Sequence, residues 1–430
     1  MDETVIILYY DIKNIFMKEG MKMNITKVTD DTYQLLANVR GFLFEGLWEI
    51  PNGVSINSYI IKGEKTAIID GFGGWDGAAE SLYDLLDEID VKPESIEYLI
   101  INHMEPDHSQ WLEDFNKINP NVKIVCSKTS ADLLEAFYNQ TENIIIANDD
   151  FELDLGNGHK LSFAMVPNVH WPDSMVTFDL LTKTLFSCDA FGSFGEVGEN
   201  KFDDMLSEEE LAFYEAEAVR YYSNIIGSFS MFVKRAIDKC APLPIEIIAP
   251  GHGIMWRGNV DRIISDYSRY VEYQKGIAKE EITLIWGSMY GMTEKAVNHA
   301  VKVLEGEDIK VNVHRVPDTD DGTILASVWN STGVILAMPT YEYKMFPALA
   351  CTLEELGRKK AHGRKAFRFG SYGWSGGAQK QLDEIMENHK MNWEFLEPVE
   401  FKGNAKEDDL NLIEQRIKEL VKEVKAITKP

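Results

Sequence analysis

The chain has 430 residues, 45% of them hydrophobic and 26% charged, which is typical of a globular protein with two or three domains. Its 70 acidic residues outnumber 43 basic residues, and the formal net charge of −27 would repel phosphate backbones and anionic membrane surfaces. The composition therefore argues against nucleic acid and membranes as partners.

The four cysteines are scattered along the chain and form no C-x-x-C pair. Neither a disulfide framework nor a zinc or rubredoxin-type iron site can be built from such a set, so buried free thiols are expected. The apolar run at residues 5–10 is too short to span a bilayer and precedes no cleavage site, so we expect a cytoplasmic protein. We interpret residues 1–22 as an N-terminal extension, with a misassigned translation start as one explanation.

The stretch from residue 25 to about residue 273 begins with strand patterns, including a predicted hairpin of residues 58–62 and 65–70. Helices and strands then alternate. A capping-box pattern at residues 207–210 predicts a long helix that runs to about residue 239, and another helix is predicted at 260–273. Short runs rich in Ile, Val and Leu predict buried strands at residues 98–101, 123–126, 161–166, 184–188 and 245–249.

After a polar segment at residues 274–281 the pattern changes to regular alternation of strands and helices, ending in a helix at 407–425. This alternation predicts a five-stranded doubly wound sheet. We therefore divide the chain into a domain of residues 23–278 and a domain of residues 279–430. The predicted strands of the second domain are residues 282–286, 310–314, 333–337, 366–370 and 394–401.

Ligand-type side chains follow four predicted strands of the first domain. Alternate residues of an extended turn project to one side, and strand ends on one edge of a sheet converge. A solvated loop or a core histidine would explain any one of these positions, but not four convergent loops, so the sequence predicts a metal site. The candidate ligands are His103, Glu105, Asp107, His108, His170, Asp189 and His252.

This series resembles the ligand set of flavodiiron proteins, a branch of the metallo-β-lactamase fold. Hydrolases of that fold carry H-x-H-x-D-H, whereas here Glu105 replaces the second histidine. A carboxylate makes the site harder and more anionic, which suits iron and points to redox chemistry. The resemblance implies one iron on His103, Glu105 and His170, the other on Asp107, His108 and His252, and Asp189 as the bridge. Family members differ in whether the histidine at His108 coordinates.

Two phenylalanines, Phe191 and Phe194, lie just past Asp189. We interpret them as candidates for an apolar pocket wall that admits small uncharged gases, with ordinary core residues as the alternative.

Three loops at predicted strand ends of the second domain have features of a mononucleotide site. The first offers hydroxyls and free N–H groups at a helix start, suited to one terminal phosphate, and resembles the flavodoxin phosphate loop. It lacks G-x-G-x-x-G and the lysine of P-loops, which favours a mononucleotide over NAD or ATP, and the resemblance to flavodoxin implies FMN. Aromatic residues in the other two loops can sandwich a flavin ring, although glycine-aromatic loops also simply turn chains. The candidate FMN contacts are Ser288, Met289, Tyr290, Gly291, Met292, Thr293, Pro339, Thr340, Tyr341, Glu342, Tyr343, Ser371, Tyr372, Gly373, Trp374, Ser375 and Gly376.

The resemblance extends from residue 23 to the C-terminus. It implies an α/β and α+β fold, with a metallo-β-lactamase-like αββα sandwich followed by a flavodoxin-like doubly wound sheet. It also implies reduction of dioxygen to water, of nitric oxide to nitrous oxide, or of both, by FMN and two iron ions. The alternatives are a zinc-dependent hydrolase with an appended flavodoxin and a non-catalytic electron carrier.

Electron supply and assembly are also implied by the resemblance. Family members pair head to tail, so a homodimer or a tetramer made of such dimers is expected. Without a C-x-x-C pair in this sequence, the electron donor is expected to be a separate rubredoxin-type carrier. Basic residues at 358–365 are a candidate docking patch for it, with a solvated helix end as the alternative.

Overall fold

The computed structural model describes residues 22–427, which form two compact units. The first unit contains residues 22–221 and 231–267, and the second contains residues 222–230 and 268–427. The domain boundary placed after residue 278 stays a prediction, and the extension assigned to residues 1–22 lies outside the described residues except for Lys22. Within the described part of the chain, no helix has the length and apolar character needed to cross a bilayer.

The first unit contains two β-sheets. Its strands are β1 (Lys22–Lys27), β2 (Thr32–Val39), β3 (Leu43–Phe44), β4 (Trp48–Glu49), β5 (Val54–Lys62), β6 (Thr66–Ile69), β7 (Ile96–Ile101), β8 (Lys123–Cys126), β9 (Ile144–Ile146), β10 (Glu152–Gly156), β11 (His159–Met165), β12 (Met175–Asp179), β13 (Thr184–Phe186) and β14 (Ile247–Ala249). Its helices are α1 (Ala78–Glu88), α2 (Pro106–Ser109), α3 (Leu112–Ile118), α4 (Lys128–Tyr138), α5 (Glu208–Tyr221), α6 (Ser230–Cys240) and α7 (Val260–Tyr273), and the division after Tyr267 falls within α7.

The two sheets of the first unit have the strand orders β1-β2-β5-β6-β7-β8-β9 and β10-β11-β12-β13-β14. Strands β5 and β6 pair antiparallel, which confirms the predicted hairpin. Alternate residues of β7 are buried on opposite faces, as the period of a strand requires. Leu99 and Ile101 pack with helices α1 and α3, whereas Tyr98 and Ile100 pack with strands of the second sheet. This layering confirms the predicted αββα sandwich.

The second unit is built on a parallel sheet of order β16-β15-β17-β20-β21, in which β22 also pairs with β20. This order is that of a flavodoxin-like doubly wound sheet and confirms the predicted fold. Its strands are β15 (Lys279–Trp286), β16 (Lys310–Arg315), β17 (Ser331–Ala337), β18 (Thr340–Tyr341), β19 (Lys344–Met345), β20 (Lys365–Tyr372), β21 (Glu394–Phe395) and β22 (Val399–Lys402). Its other helices are α8 (Met292–Glu305), α9 (Asp321–Asn330), α10 (Pro347–Arg358), α11 (Ala378–Asn388) and α12 (Glu407–Ala426).

Several predicted elements differ from the structure, and the strand predicted at 245–249, for example, begins at Ile247. The single strand predicted at 394–401 is two strands, because Pro398 lies between β21 and β22 and has no N–H group for the ladder. The strand predicted at 184–188 ends at Phe186, since Cys188 has a φ of 55° and cannot continue it.

The long helix predicted from residue 207 to about residue 239 is also interrupted. Helix α5 ends at Tyr221, a π-helical turn covers Tyr222–Ile226, and a 3-10 turn covers Gly227–Phe229 before α6 begins. A Cβ on Gly227 would lie 2.8 Å from the Trp329 ring, so this close approach requires glycine. The prediction was wrong because it extended a regular period through this glycine.

Candidate metal centre and flavin loops

The predicted metal ligands follow the carboxyl ends of four strands, and all lie in loops except Asp107 and His108, which lie in helix α2. The loop after β7 carries His103 and then Glu105, which precedes helix α2. Pro106 occupies the first turn of α2, where its missing N–H is not needed. The remaining three loops follow β11, β13 and β14 and supply one ligand each, His170, Asp189 and His252.

The first group of ligands, cluster 1, consists of His103, Glu105, His170 and Asp189. The Oε2 atom of Glu105 lies 3.5 Å from Nε2 of His103 and 2.8 Å from Nε2 of His170. The Oδ2 atom of Asp189 lies 3.4 Å and 3.0 Å from the same two nitrogens. All four side chains are buried, so the charges face one another without screening by bulk water.

The second group, cluster 2, consists of Asp107, His108, His252 and again Asp189. The Nε2 atoms of His108 and His252 lie 3.2 Å apart, and Oδ2 of Asp107 lies 3.6 Å and 3.4 Å from them. The Oδ1 atom of Asp189 lies 3.6 Å from Nε2 of His108 and 3.7 Å from Nε2 of His252. Asp189 thus belongs to both clusters, with Oδ2 in cluster 1 and Oδ1 in cluster 2.

The buried polar atoms of these clusters fit a pair of metal ions. Several have no hydrogen-bond partner among the described residues: Nε2 of His103, both carboxylate oxygens of Asp107, and Oδ1 of Asp189. Leaving such atoms unpaired is costly unless a cation occupies the site. Donor atoms bound at 2.0–2.2 Å to one ion in tetrahedral geometry lie about 3.4 Å apart, close to the separations in both clusters.

Neighbouring groups fix the orientation of two ligands. Nδ1 of His252 donates to the backbone oxygen of Ser55 at 2.8 Å, which leaves Nε2 for a metal. The Tyr221 hydroxyl donates to Oδ2 of Asp189 at 2.9 Å. A Cβ on Gly251 would lie 2.9 Å from Oδ1 of Asp189, so glycine lets this loop pass close to the carboxylate.

The electrostatics of cluster 1 are those of a site that attracts cations. Burial opposes ionisation of Glu105, but His170 and His103 hold the pKa of its carboxyl down at about 2. Burial likewise opposes protonation of His170, but Glu105 and Asp189 raise the pKa of its imidazole to about 10. The metal-free protein therefore holds a proton on His170 at neutral pH, where a metal would otherwise bind.

Metal binding is expected to release this proton. Because the folded pKa of His170 lies above its unfolded value near 6.5, protonation stabilises the metal-free fold fully below about pH 6.5, and this stabilisation is lost as pH rises through about 10. Affinity for divalent cobalt should accordingly rise with pH up to about 10. Calorimetric titration at pH 7 in buffers of different ionisation enthalpy should detect proton release that diminishes towards pH 10. Binding that releases no proton at pH 7 would contradict this assignment.

Aromatic rings surround His252. The rings of Phe44 and Tyr221 lie 5.6 Å and 5.4 Å from its imidazole, and Phe194 packs on both at 5.4 Å and 5.1 Å. Phe194 is one of the two phenylalanines that the sequence indicates for an apolar pocket wall, whereas Phe44 and Tyr221 are not predicted. Phe44 lies between two glycines of a short hairpin, which is a weak signal, and Tyr221 carries no signal within its helix. Phe191 packs instead on Tyr267, at 4.9 Å.

The three predicted flavin loops lie at the carboxyl ends of β15, β17 and β20. The first loop ends at Gly291, whose N–H donates to Oγ of Ser288 at 3.1 Å and whose φ is 87°. The hydroxyl of Thr293, in the first turn of α8, lies 2.8 Å from that of Ser371, near the end of β20. Ser371 and Tyr372, predicted in the third loop, are the last residues of β20.

The side chains of these loops fit a planar ligand. Tyr290, Tyr343 and Trp374 are 86%, 61% and 75% exposed, although large aromatic side chains are usually buried. The rings of Tyr343 and Trp374 are 6.4 Å apart, and the buried Oγ1 of Thr340 has no partner among the described residues. Exposed aromatic side chains beside an unpaired hydroxyl at this edge are what a bound flavin would cover.

Each half of the chain matches a known protein-family model. An ODP family beta lactamase model matches residues 54–253, and a flavodoxin model matches residues 284–419. The anaerobic nitric oxide reductase flavorubredoxin of Vibrio vulnificus is 34% identical over 340 residues, covering 78% of this chain and 67% of that protein. Its counterpart in Escherichia coli O1:K1 is 31% identical over 377 residues, covering 86% and 76%. The chain thus spans about two thirds to three quarters of these relatives.

Solved structures of similar proteins point to the same family as the curated relatives. A flavo di-iron protein variant from Thermotoga maritima is 30% identical with a TM-score of 0.86, covering 94% of this chain and 99% of that one. The rubredoxin oxygen:oxidoreductase of Desulfovibrio gigas has the same fold, with a TM-score of 0.86 at 24% identity and coverage of 94% and 99%. From these identities over nearly the whole described fold, the chain belongs to the flavodiiron protein family.

Proposed function

We propose that this oxidoreductase reduces dioxygen to water, nitric oxide to nitrous oxide, or both, with electrons passing from an external carrier through FMN to two iron ions. The observation that carries the proposal is the position of Asp189, whose two carboxylate oxygens each close a separate ligand cluster. The curated relatives are named nitric oxide reductases, which supports nitric oxide as one of the gases.

The ligands of each cluster have distinct tasks. Two iron ions, when bound, would supply electrons for the reduction of a diatomic gas. His103, Glu105 and His170 would hold one ion, while Asp107, His108 and His252 would hold the other. The position of His108, 3.2 Å from His252 in cluster 2, supports it as a ligand. Asp189 keeps the two positions adjacent, and the Tyr221 hydroxyl fixes the orientation of its carboxylate.

The anionic character of the ligand set favours iron over zinc. Three of the seven ligands are carboxylates, and Glu105 stands where the hydrolases of this fold carry a histidine. Oxygen ligands stabilise the more highly charged iron states, which hydrolytic zinc sites do not need. The relatives likewise favour the reductase over a zinc hydrolase.

The flavin loops of the second unit would hold FMN. The hydroxyl of Ser288 and the free N–H groups at the start of α8 suit a terminal phosphate, and the exposed rings of Tyr343 and Trp374 suit contact with the flavin ring. FMN accepts electrons in pairs or singly and so can feed an iron pair. The hydroxyl of Thr293, just after the phosphate loop, contacts the hydroxyl of Ser371 and would hold the first and third flavin loops at a fixed spacing.

The proposed function also includes an electron donor, an oligomeric state and a cellular location. A rubredoxin-type carrier would supply electrons, a head-to-tail homodimer or tetramer would bring the FMN of one subunit to the metals of its neighbour, and the enzyme would act in the cytoplasm. A species of 48.9 kDa in sedimentation equilibrium would contradict the oligomer. Arg364 cannot belong to the candidate basic docking patch at residues 358–365, because its side chain is fully buried and donates to the backbone oxygen of Val328 at 3.0 Å.

Stopped-flow oxidation of the reduced enzyme tests the function. The protein loaded with iron and FMN is fully reduced and mixed separately with dioxygen and with nitric oxide while flavin absorbance is followed. Rapid reoxidation is expected, and it should disappear in Glu105→Ala but persist in Glu113→Ala, which alters an exposed glutamate of α3. Slow reoxidation that is equal in all three proteins would contradict the reductase.

A further inference from the structure

An apolar cavity of about 230 Å³ lies in the first unit, between the five-stranded sheet and helices α6 and α7. Its inner end is lined by buried side chains, among them Val176 and Leu185 from the sheet and Val233 from α6. Its mouth is formed by residues with partial or full exposure, including Ala241 and Asp261. The cavity is therefore open to solvent at one end and closed at the other.

Part of the cavity wall comes from two loops that carry metal ligands. Val169 lines the cavity and directly precedes His170 in the chain, and Ala190 lines it and directly follows Asp189. Phe191 completes this wall, with its ring packed on Tyr267 and a φ of 67°. A bulky side chain at positive φ is held there by its surroundings, and such residues cluster at functional sites. Val169 and Ala190 each lie one residue from a metal ligand, so the cavity wall and the ligand clusters share these two loops.

The lining decides what the cavity can hold. Apart from Asp261 at the mouth and the Cys240 thiol, its side chains are apolar and most of its lining surface is apolar, so water gains few hydrogen bonds by entering. A volume of about 230 Å³ is below the roughly 300–1,000 Å³ of pockets for larger organic ligands, whereas dry apolar cavities of about 150 Å³ accept benzene or xenon. Dioxygen and nitric oxide are small, uncharged and barely hydrated, and they match this lining.

We propose that this cavity is a binding chamber for the gaseous substrate, which enters from solvent at the α6–α7 mouth and reaches the metal ligands past Phe191. The inference rests on the proposed function and adds to it the place where the gas collects. It concerns the step before any chemistry, so it predicts an effect on gas concentration at the metal centre and none on electron supply.

Xenon binding tests the chamber without relying on activity. Crystals of the enzyme loaded with iron and FMN, pressurised with xenon, should show one xenon atom in the cavity. Ala236→Phe places a large side chain on the cavity-facing side of α6 and should remove that atom. Ala216→Phe changes an exposed alanine of the neighbouring helix α5 and should retain it. Absence of xenon from the cavity of the native enzyme would overturn the proposal.

Steady-state kinetics at saturating donor tests the supply of gas. Ala236→Phe should raise KM for the gas several-fold while leaving kcat at saturating gas and the rate of flavin reduction unchanged, and Ala216→Phe should change none of the three. A native enzyme that reduces the gas, with an unchanged KM in Ala236→Phe, would overturn the chamber alone. A native enzyme that is reoxidised by neither gas would overturn the proposed function, and with it the supply role, even where xenon binds.

Discussion

Replacing Asp189 by asparagine is expected to deplete both metal positions at once and to abolish gas reduction. Its two carboxylate oxygens lie within 3.0–3.7 Å of the Nε2 atoms of all four histidine ligands, which no other single side chain achieves within the described clusters. The amide is neutral and offers one oxygen instead of two. The loss of iron affinity should exceed the roughly 10–100-fold that residues outside the coordination sphere cost.

Iron content after anaerobic reconstitution and gel filtration measures this effect. Tyr221→Phe is the graded control, because it removes only the hydroxyl that donates to Oδ2 of Asp189 and leaves every ligand in place. It should retain two irons and lose activity within the 10–100-fold range estimated for outer groups. An Asp189→Asn protein that keeps two irons per chain would refute the bridging role.

Replacing Glu105 by histidine is expected to change which metal the centre selects. The substitution restores the H-x-H-x-D-H pattern of hydrolases and removes a buried carboxylate whose pKa is held at about 2 by His170 and His103, against the effect of burial. The site loses one negative charge and gains an imidazole, which favours zinc over iron. Flavin reoxidation by either gas should fall with the iron content.

Competition between equimolar ferrous iron and zinc, followed by elemental analysis, measures the selectivity. The iron-to-zinc ratio should drop in Glu105→His and remain at the native value in Glu113→His, which adds a histidine on the exposed side of α3. Protein sites generally bind divalent zinc more tightly than divalent iron. An iron-to-zinc ratio in the native protein above that of Glu105→His therefore measures how strongly the Glu105 carboxylate favours iron. An unchanged ratio in Glu105→His would remove the chemical argument for iron.

The ligand positions could be predicted from sequence because each one follows a buried strand. Short apolar runs mark the ends of β7, β11, β13 and β14, and strand ends on one edge must converge. The structure brings all seven predicted side chains into two adjoining clusters. The identity of the bridge came from the resemblance alone, and the geometry of Asp189 now supplies an independent reason for it.

Residues that contact the ligands could not be predicted, because their contacts depend on tertiary packing. Phe44 contacts His252 across about two hundred residues of chain, and Tyr221, the last residue of α5, contacts Asp189, which lies 32 residues earlier in the chain. Likewise the sequence predicts that Arg364 is an exposed cation. In the structure its side chain is buried against the end of α9, where it donates to the backbone oxygen of Val328. Periodicity carries no information on such pairings.

X-ray absorption of the enzyme loaded with iron tests the central claim, that one carboxylate joins two metal positions. Two iron ions bound to the clusters that share Asp189 should give an Fe–Fe scattering vector at roughly 3.5–4 Å, with nitrogen and oxygen neighbours. The vector should vanish in Asp189→Asn and persist in Tyr221→Phe. Iron at full occupancy without a metal–metal vector in the native enzyme would contradict the account.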